Sequence, residues 1–279
     1  MNDSAQTTDI DRLAALQDLD RKLKLAAGNH MLDDMHHVPY AVAMIPTVMM
    51  ALGFLAGYWI ALPRMREEGL DPEHTANLLI FIMLGGVFGA KLYYAVDFWW
   101  REGLPFWESM LSRGGLVFYG GLIGGFLGGL IGCRVLGVPA IPFANAAAIS
   151  LAVGQAIGRI GCFLVGDDYG RATDLPWGVA FPQGLPPVDY PVHPTMLYET
   201  AWLTLVSAWL WRRRRRSPSL MGEYLVLNGI GRAVIEHWRL NARVALGLSE
   251  AQWIGIAILV VGTILIVRGR SKRPLRAAA

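Results

Sequence analysis

The chain has few charged residues and very little cysteine. Charged side chains make up 17% of its 279 residues, and its mean hydropathy is +0.38. Soluble globular proteins average about 25% charged residues. The two cysteines, Cys133 and Cys162, fall in or beside different apolar segments, which argues against a disulfide framework. The basic residues border apolar runs, so we expect a membrane protein without a nucleic-acid partner.

The sequence also lacks the common signatures of soluble enzymes. It contains no P-loop, no Gly-x-Ser-x-Gly elbow and no His/Cys/Asp set at metal-ligand spacing, so neither a metal nor another cofactor is expected. Met1 to His37 are polar and contain no apolar signal-peptide core. Asp9 to Asp34 predict either an amphipathic helix on the outer membrane surface or a solvated arm.

Seven segments are apolar and long enough to be membrane helices, which need about 20 such residues. The sixth is the least apolar because it carries Glu223, Arg232 and Glu236. It is retained because it brings the Arg212–Arg216 run and the basic C-terminal tail to one side, and Lys and Arg accumulate on the cytoplasmic side. The pattern therefore predicts an all-α protein with its N-terminus outside and its C-terminus in the cytoplasm. The segments are Tyr40–Leu62, Ala76–Phe98, Leu116–Leu136, Ile141–Val165, Thr195–Trp211, Met221–His237 and Ala251–Val267.

Arginine inside an apolar segment is the strongest functional signal. A charged side chain near the bilayer centre costs roughly 2.5–3.5 kcal/mol, so Arg159 is expected to face a partner or a polar cavity. Arg232, Glu236 and Arg239 recur at helical spacing on one stripe of the sixth segment. Together with Arg159 they predict a basic cluster near the outer leaflet, suited to the phosphate of an anionic lipid. The alternative is a neutral Arg232–Glu236 pair that only makes the segment insertable.

Other polar residues leave two interpretations each. Glu199 would lie inside the membrane, where it needs either an arginine or a proton. His193 is either an acid–base group or a structural one that caps the fifth helix or bonds a backbone carbonyl. Lys91 either snorkels or pairs with Asp97, or it contacts a lipid headgroup. Cys162 is either a small apolar residue or a nucleophile.

Glycine pairs recur every four residues in the third segment. The later pairs, Gly124–Gly125 and Gly128–Gly129, predict close packing of two helices. Gly120 and Gly121 follow Tyr119, and glycines beside a polar aromatic residue indicate backbone access to a ligand.

The motifs resemble those of the bacterial prolipoprotein diacylglyceryl transferase family. Residues 158–170, GRIGCFLVGDDYG, are similar to the family signature Gly-Arg-x-Gly-Asn-Phe-x-Asn-x-Glu-x-x-Gly. The resemblance extends in order from about Tyr40 to Val267. It includes GFLAGYW at 53–59, GGVFGAK at 85–91, DLPWG at 174–178, HPTMLYE at 193–199 and the Arg232/Glu236 pair.

The resemblance implies transfer of the diacylglyceryl group of phosphatidylglycerol to the lipobox cysteine of a prelipoprotein, with release of glycerol phosphate. Arg159 and Arg232 would hold the phosphate, Glu236 would orient Arg232, and Tyr119 would be the fourth catalytic residue. The residues expected to bind substrate are Tyr40, Lys91, Gly120, Gly121, Cys162, Asp167, Gly170, His193, Glu199 and Arg239. Asp167 takes the position of the signature carboxylate.

The charge and hydropathy pattern, together with the resemblance, leads us to expect a location and a domain order. Seven helices would surround a central lipid and phosphate cavity in the bacterial inner membrane. Residues 1–38 would be a polar extracytoplasmic arm, residues 39–270 the transferase domain and residues 271–279 a basic cytoplasmic tail. The partners would be phosphatidylglycerol, other membrane lipid and the signal peptide of a prelipoprotein.

Five positions depart from the family pattern. Lys91 replaces an Arg, Val165 replaces the second signature Asn and Asp167 replaces the signature Glu. Tyr119 stands where the family has the His of a His-Gly-Gly motif, and Cys162 stands at a signature Asn. A second function therefore remains open, namely a lipid-binding paralogue that is non-catalytic or uses another acceptor. A transporter is disfavoured because no inverted repeat is evident.

Overall fold

The computed structural model describes residues 40–271, except residues 104, 113, 114 and 116. The described chain is mostly helical. Its helices are α1 (Tyr40–Glu67), α2 (His74–Glu102), α3 (Phe106–Leu111), α4 (Phe118–Val135), α5 (Ala140–Val165), α6 (Thr195–Arg213), α7 (Leu220–Ile235) and α8 (Glu250–Ser271). Two small antiparallel sheets pair β1 (Val179–Phe181) with β2 (Val188–Val192) and β3 (Arg243–Ala245) with β4 (Leu248–Ser249).

A helix occupies each of the seven predicted apolar segments. Within the described residues, four helical stretches are long and apolar enough to cross a membrane: Met44–Glu67, His74–Arg101, Ala140–Val165 and Glu250–Ser271. Helix α4 is apolar but shorter, while α6 and α7 carry more polar residues. The sixth segment ends at Ile235 rather than His237, because a 3-10 turn follows at Glu236–Trp238. The predicted N-terminal arm and most of the basic tail lie outside the described residues.

The chain divides into two compact units. The smaller unit includes residues 82–128 together with the start of α1, up to Ala43. In it, α2 and α4 approach through glycines, since a Cβ on Gly124 would lie 2.2 Å from the carbonyl oxygen of Gly85. A Cβ on Gly120 would lie 2.3 Å from the carbonyl oxygen of Gly89. The close helix packing predicted from the glycine pairs is therefore present at Gly124, and Gly120 takes part in it as well.

The larger unit, residues 44–81 and 129–279, has its main core between α5, α6 and α7. Small residues on α5 allow the larger residues of α6 and α7 to pack closely. The buried members of this core are Ala148, Ile149 and Ala152 of α5, Val206 and Leu210 of α6, and Leu220 and Tyr224 of α7. Helix α7 also packs on α8, where a Cβ on Gly229 would lie 2.5 Å from the carbonyl oxygen of Gly255.

The chain turns sharply where α5 ends. Gly166 caps the helix with φ +75°, and its N–H donates to the carbonyl of Cys162 at 2.9 Å. Glycine adopts this left-handed conformation without steric cost. The turn brings the next residues back beside Arg159 of the same helix.

The connection from α5 to α6 is tied to the end of α7 by backbone hydrogen bonds. The N–H of Gly170 donates to His193 at 2.8 Å, and the N–H of Arg171 donates to Trp238 at 2.9 Å. Both ends of the connection therefore meet the residues that follow α7. Three arginines and three carboxylates lie around this meeting point.

Candidate active site

Three arginines and three carboxylates form one ion-pair network at the end of the larger unit where α5 ends, α6 begins and α7 ends. We refer to it as the arginine–carboxylate cluster. Its members are Arg159, Arg232, Arg239, Asp168, Glu199 and Glu236. The structure thus brings together the four charged residues that the sequence had placed near the outer leaflet, and it adds Asp168 and Glu199.

Asp168 lies between two arginines. Its Oδ2 accepts from Nη1 of Arg159 and its Oδ1 accepts from Nη2 of Arg239, each at 2.6 Å. Its backbone has φ +59°, and the hydroxyl of Thr195 donates to its carbonyl at 2.7 Å. Burial acts to raise the pKa of Asp168, but the guanidiniums of Arg239 and Arg159 outweigh it and hold this pKa below the ordinary value.

Glu199 joins the three helix ends. One carboxylate oxygen forms an ion pair with Nε of Arg159, while the other lies 2.9 Å from Nη1 of Arg232 and 3.5 Å from Nη1 of Arg239. Its side chain is only 9% exposed. Of the two interpretations of Glu199, an arginine partner or a proton, the structure shows the first, since all three arginines contact its carboxylate.

Glu236 is a buried anchor behind the arginines. Its Oε1 accepts from Nδ2 of Asn241 and Oγ of Ser249, both at 2.7 Å. Its Oε2 lies 3.7 Å from both Nη2 of Arg232 and Nε of Arg239. Glu236 therefore ties the β3–β4 hairpin to the two arginines.

The arginines differ in their exposure. The side chains of Arg159 and Arg232 are 23% and 25% exposed, whereas that of Arg239 is 8% exposed. Arg159 and Arg232 can therefore reach a ligand, while Arg239 mainly holds the carboxylates. Three guanidiniums and three carboxylates cancel in formal charge, so the cluster is not the net basic patch that the sequence suggested.

Cys162 lies beside this cluster. Its Sγ is 3.9 Å from Nη1 of Arg159, and a carboxylate oxygen of Asp167 lies nearby, within 4.8 Å of the sulfur. Burial raises the pKa of Asp167. The ligand atoms of Cys162, Asp167 and Asp168 lie within 4.8 Å of one another, a grouping that the sequence spacing had not indicated. Of these three residues, Asp168 is held in ion pairs by Arg159 and Arg239.

His193 contacts aromatic residues. Its Nδ1 is 3.2 Å from the hydroxyl of Tyr198, which accepts from the indole N–H of Trp177 at 2.8 Å. Its ring also lies 6.3 Å, centroid to centroid, from that of Trp238. The side chain is buried, and burial lowers the pKa of His193, as does the charge of Arg171. These contacts support the structural interpretation of His193 before α6.

Gly170 is a close-contact position. A Cβ there would lie 2.4 Å from the carbonyl oxygen of Trp238 and 2.9 Å from Cγ2 of Thr195. Only glycine allows the connection after α5 to approach the end of α7 this closely. Gly170 thus shapes the cluster through the backbone.

Five further predicted residues belong to the smaller unit. Lys91 donates to the hydroxyl of Ser112 at 3.1 Å, and Asp97 pairs with Nε of Arg101 at 2.7 Å rather than with the lysine. Gly120 is accounted for by its packing on α2, whereas a Cβ on Gly121 would meet only ordinary contacts. Tyr119 lies in the first turn of α4. Tyr40 begins α1, and its side chain lies outside the described residues.

Sequence reasoning missed part of the site. The predicted site residues did not include Asp168, Thr195, Asn241 or Ser249. The available signal was the pair of aspartates one turn beyond α5. Which of the two would face Arg159 depends on the left-handed backbone of Asp168, which the sequence does not reveal.

Comparison with known proteins assigns the chain to a family. The sequence profile described as prolipoprotein diacylglyceryl transferase matches residues 42–268. The chain belongs to the prolipoprotein diacylglyceryl transferase family. The match covers all seven of the long helices and the whole arginine–carboxylate cluster.

Curated relatives have similar lengths and consistent names. A protein of Thermotoga maritima is 32% identical over 244 residues, which cover 83% of each chain. A protein of Gloeobacter violaceus is 31% identical over 229 residues, covering 78% of this chain and 85% of the relative. One of Clostridium tetani is 31% identical over 221 residues, covering 77% and 88%. All three are named phosphatidylglycerol–prolipoprotein diacylglyceryl transferase.

Proposed function

We propose that this protein transfers the diacylglyceryl group of phosphatidylglycerol to the lipobox cysteine of prelipoproteins. The observation that carries the proposal is the arginine–carboxylate cluster, in which Arg159 and Arg232 are partly exposed and share Glu199. The family membership of the chain and the names of its relatives support the same reaction.

In the proposed reaction, the acceptor thiolate attacks the glycerol carbon that carries the phosphate. A carbon–sulfur bond forms, the carbon–oxygen bond to phosphate breaks, and glycerol phosphate leaves with the electron pair. Arg159 and Arg232 bind the phosphate and stabilise the charge that grows on the leaving oxygen. Their planar forks allow two parallel hydrogen bonds to phosphate oxygens.

The carboxylates have a positioning role in this proposal. Glu199 holds Arg159 and Arg232 at a fixed separation, and Glu236 limits the movement of Arg232. The phosphate has to share the guanidiniums with these carboxylates. The cluster therefore provides preorganised donors rather than excess positive charge, which favours a transition state over tight binding of the substrate.

The predicted substrate residues extend this proposal. A carboxylate oxygen of Asp167 lies within 4.8 Å of the Cys162 sulfur, and we assign both residues to the edge of the site. Gly170 and His193 shape the connection between α5 and α6. The family resemblance implies substrate binding for Tyr40, Lys91, Gly120 and Gly121, and we keep this role in the proposal. It implies a catalytic role for Tyr119. For Tyr119 this role is a hydrogen bond that assists loss of the thiol proton.

We further propose seven membrane spans, with the N-terminus outside and the C-terminus in the cytoplasm of a bacterial inner membrane. The excess of Lys and Arg in the loops assigned to the inner side supports this orientation. The cluster would then lie near the outer leaflet, where α5 ends and α6 begins. A C-terminal fluorescent-protein fusion should fluoresce, and a C-terminal alkaline phosphatase fusion should be inactive; the reverse pattern would refute the orientation.

A cell-based experiment tests the proposed transfer. The chain would be expressed in bacteria depleted of their own transferase, together with a reporter prelipoprotein. We expect the reporter to gain a diacylglyceryl group and growth to recover. A folded, inserted protein that leaves the reporter unmodified would instead favour the non-catalytic or altered-acceptor paralogue, which Tyr119 and Cys162 keep open.

A further inference from the structure

An apolar groove runs between α6 and α7 on the larger unit. Its volume is about 270 Å³. It is lined by Ala201, Trp202 and Leu205 of α6 and by Ile230, Gly231 and Val234 of α7. Leu205 and Val234 are 65% and 53% exposed, so the groove is open along its side.

The groove reaches the level of the arginine–carboxylate cluster. Its lining also includes Tyr198 and Ile235, the immediate neighbours of Glu199 and Glu236 in the sequence. The ion pair between Arg232 and Glu199 joins the same two helices there. The apolar groove and the phosphate-binding arginines thus lie on the same pair of helices. Along these helices the groove is placed to receive the tail of a lipid and the arginines are placed to receive its headgroup.

The floor of the groove is fixed. The indole N–H of Trp202 donates to the carbonyl of Leu227 at 3.0 Å. A Cβ on Gly231 would lie 2.1 Å from Nε1 of Trp202, so the indole lies directly against the α7 backbone. Because the Trp202 indole is hydrogen-bonded and cannot move closer to α7, it gives the groove a defined depth.

We propose that this groove holds one acyl chain of the glycerolipid whose phosphate the cluster binds. The proposal rests on the function proposed above and adds a site that sets acyl-chain preference. The groove volume of about 270 Å³ is smaller than a single turn of an α-helix with its side chains, which at about 10–12 Å across and about 5.4 Å per turn occupies roughly 400–600 Å³. A signal peptide is therefore disfavoured as the occupant.

The groove acts through packing more than through hydrophobic driving force. Lipid tails around the protein are as apolar as the groove, so a bound chain gains mainly contacts with rigid walls. Such contacts depend on the length and shape of the chain. The groove should therefore orient the lipid and discriminate among chains.

A matched pair of substitutions tests the site. Ala201→Phe places a ring in the groove, while Ala208→Phe adds the same ring on an exposed face two turns away on α6, about 10 Å along the helix. The probe is phosphatidylglycerol with a diazirine in one acyl chain, added to the purified protein in nanodiscs. Labelled residues are identified by mass spectrometry after irradiation.

We expect labels on groove residues in the wild type and in Ala208→Phe, and their loss in Ala201→Phe. Labels spread evenly over the lipid-facing helices, or unchanged labels in Ala201→Phe, would overturn the proposal. Preferential labelling of the groove by a signal peptide with a photoreactive apolar segment would also overturn it.

Transfer rates separate this proposal from the function on which it rests. With phosphatidylglycerols of different chain lengths, Ala201→Phe should change the ratio of long-chain to short-chain rates by roughly tenfold, as apolar pockets do when their size changes. An unchanged ratio with normal transfer would overturn the groove and leave the transferase intact. Groove labelling in a protein that transfers nothing would support the groove as a lipid site and refute the transfer.

Discussion

At the scale of single residues, Arg159 and Arg232 matter because they are paired yet partly exposed. A guanidinium held by carboxylates keeps its geometry without a substrate and needs little rearrangement to bind phosphate. The buried Arg239 fixes Asp168, Glu199 and Glu236 around them. The roles of the three arginines are therefore distinguishable by substitution.

Replacing Arg159 or Arg232 by lysine should lower the transfer rate roughly 100-fold or more, because one preorganised donor typically contributes that much. Lysine keeps the charge but lacks the planar fork. The measurement is the initial rate of diacylglyceryl transfer in phosphatidylglycerol liposomes. Arg134→Lys, at the exposed end of α4, is the matched control and should leave the rate unchanged. Rates near wild type in both cluster variants would remove them from the chemistry.

Tyr119 tests whether the departure from the family pattern is functional. Tyr119→Phe removes only the hydroxyl and should slow transfer by roughly tenfold or more if that hydroxyl assists loss of the thiol proton. Tyr119→His restores the residue usual in the family and should remain active. Initial rates across pH 6 to 9 provide the comparison. Unchanged rates in Tyr119→Phe would exclude the hydroxyl from the reaction.

Asp168 should contribute to stability in a pH-dependent way. Its folded pKa lies below the ordinary value, so its ion pairs stabilise the protein at neutral pH and are lost as the pH falls from about 4 through the folded pKa. Asp168→Asn should lower the thermal midpoint at pH 7 and show a smaller further fall on acidification. Asp189→Asn, at an exposed position in β2, is the control. Identical pH profiles for wild type and Asp168→Asn would contradict this ion-pair contribution.

At the scale of helices, the sequence predicted where most helices lie along the chain, but it predicted little of the structure of the segments that connect them. Apolar runs located all seven long helices because they depend on local composition alone. The β1–β2 and β3–β4 hairpins were not predicted, since strands of two to five residues carry little periodic signal. Helical spacing predicted that Arg232, Glu236 and Arg239 lie together, and they do, although Arg239 follows the 3-10 turn after α7. The pairing of Asp168 depends on a turn and on Thr195 from another helix.

The glycine contact between α2 and α4 makes a prediction at this scale. A Cβ on Gly124 would lie 2.2 Å from the Gly85 oxygen, while one on Gly125 would have its nearest contact at 3.6 Å. Gly124→Ala should therefore destabilise the protein by about 1–3 kcal/mol, as overpacking does, and Gly125→Ala should be close to neutral. Thermal unfolding in detergent measures the difference. Equal midpoints in the two variants would show that α2 and α4 do not pack through Gly124.

At the scale of the whole molecule, the larger unit contains a complete ionic site and an adjacent apolar groove. The site was predictable as a group of arginines because charges inside apolar segments need partners. Its neutral balance was not, since it requires knowing that Asp168 and Glu199 turn towards the same arginines. Because the formal charges of the cluster cancel, we expect it to stabilise the charge that develops in the transition state rather than to bind anions tightly.

The most direct test of this account is transfer by the purified protein. The protein would be reconstituted in liposomes of phosphatidylglycerol with a signal peptide that carries a lipobox cysteine, and with the same peptide carrying serine instead. We predict that the cysteine peptide gains the mass of one diacylglyceryl group through a thioether, with an equimolar release of glycerol phosphate, while the serine peptide gains none. A folded protein that leaves the cysteine peptide unmodified and releases no glycerol phosphate would contradict the account.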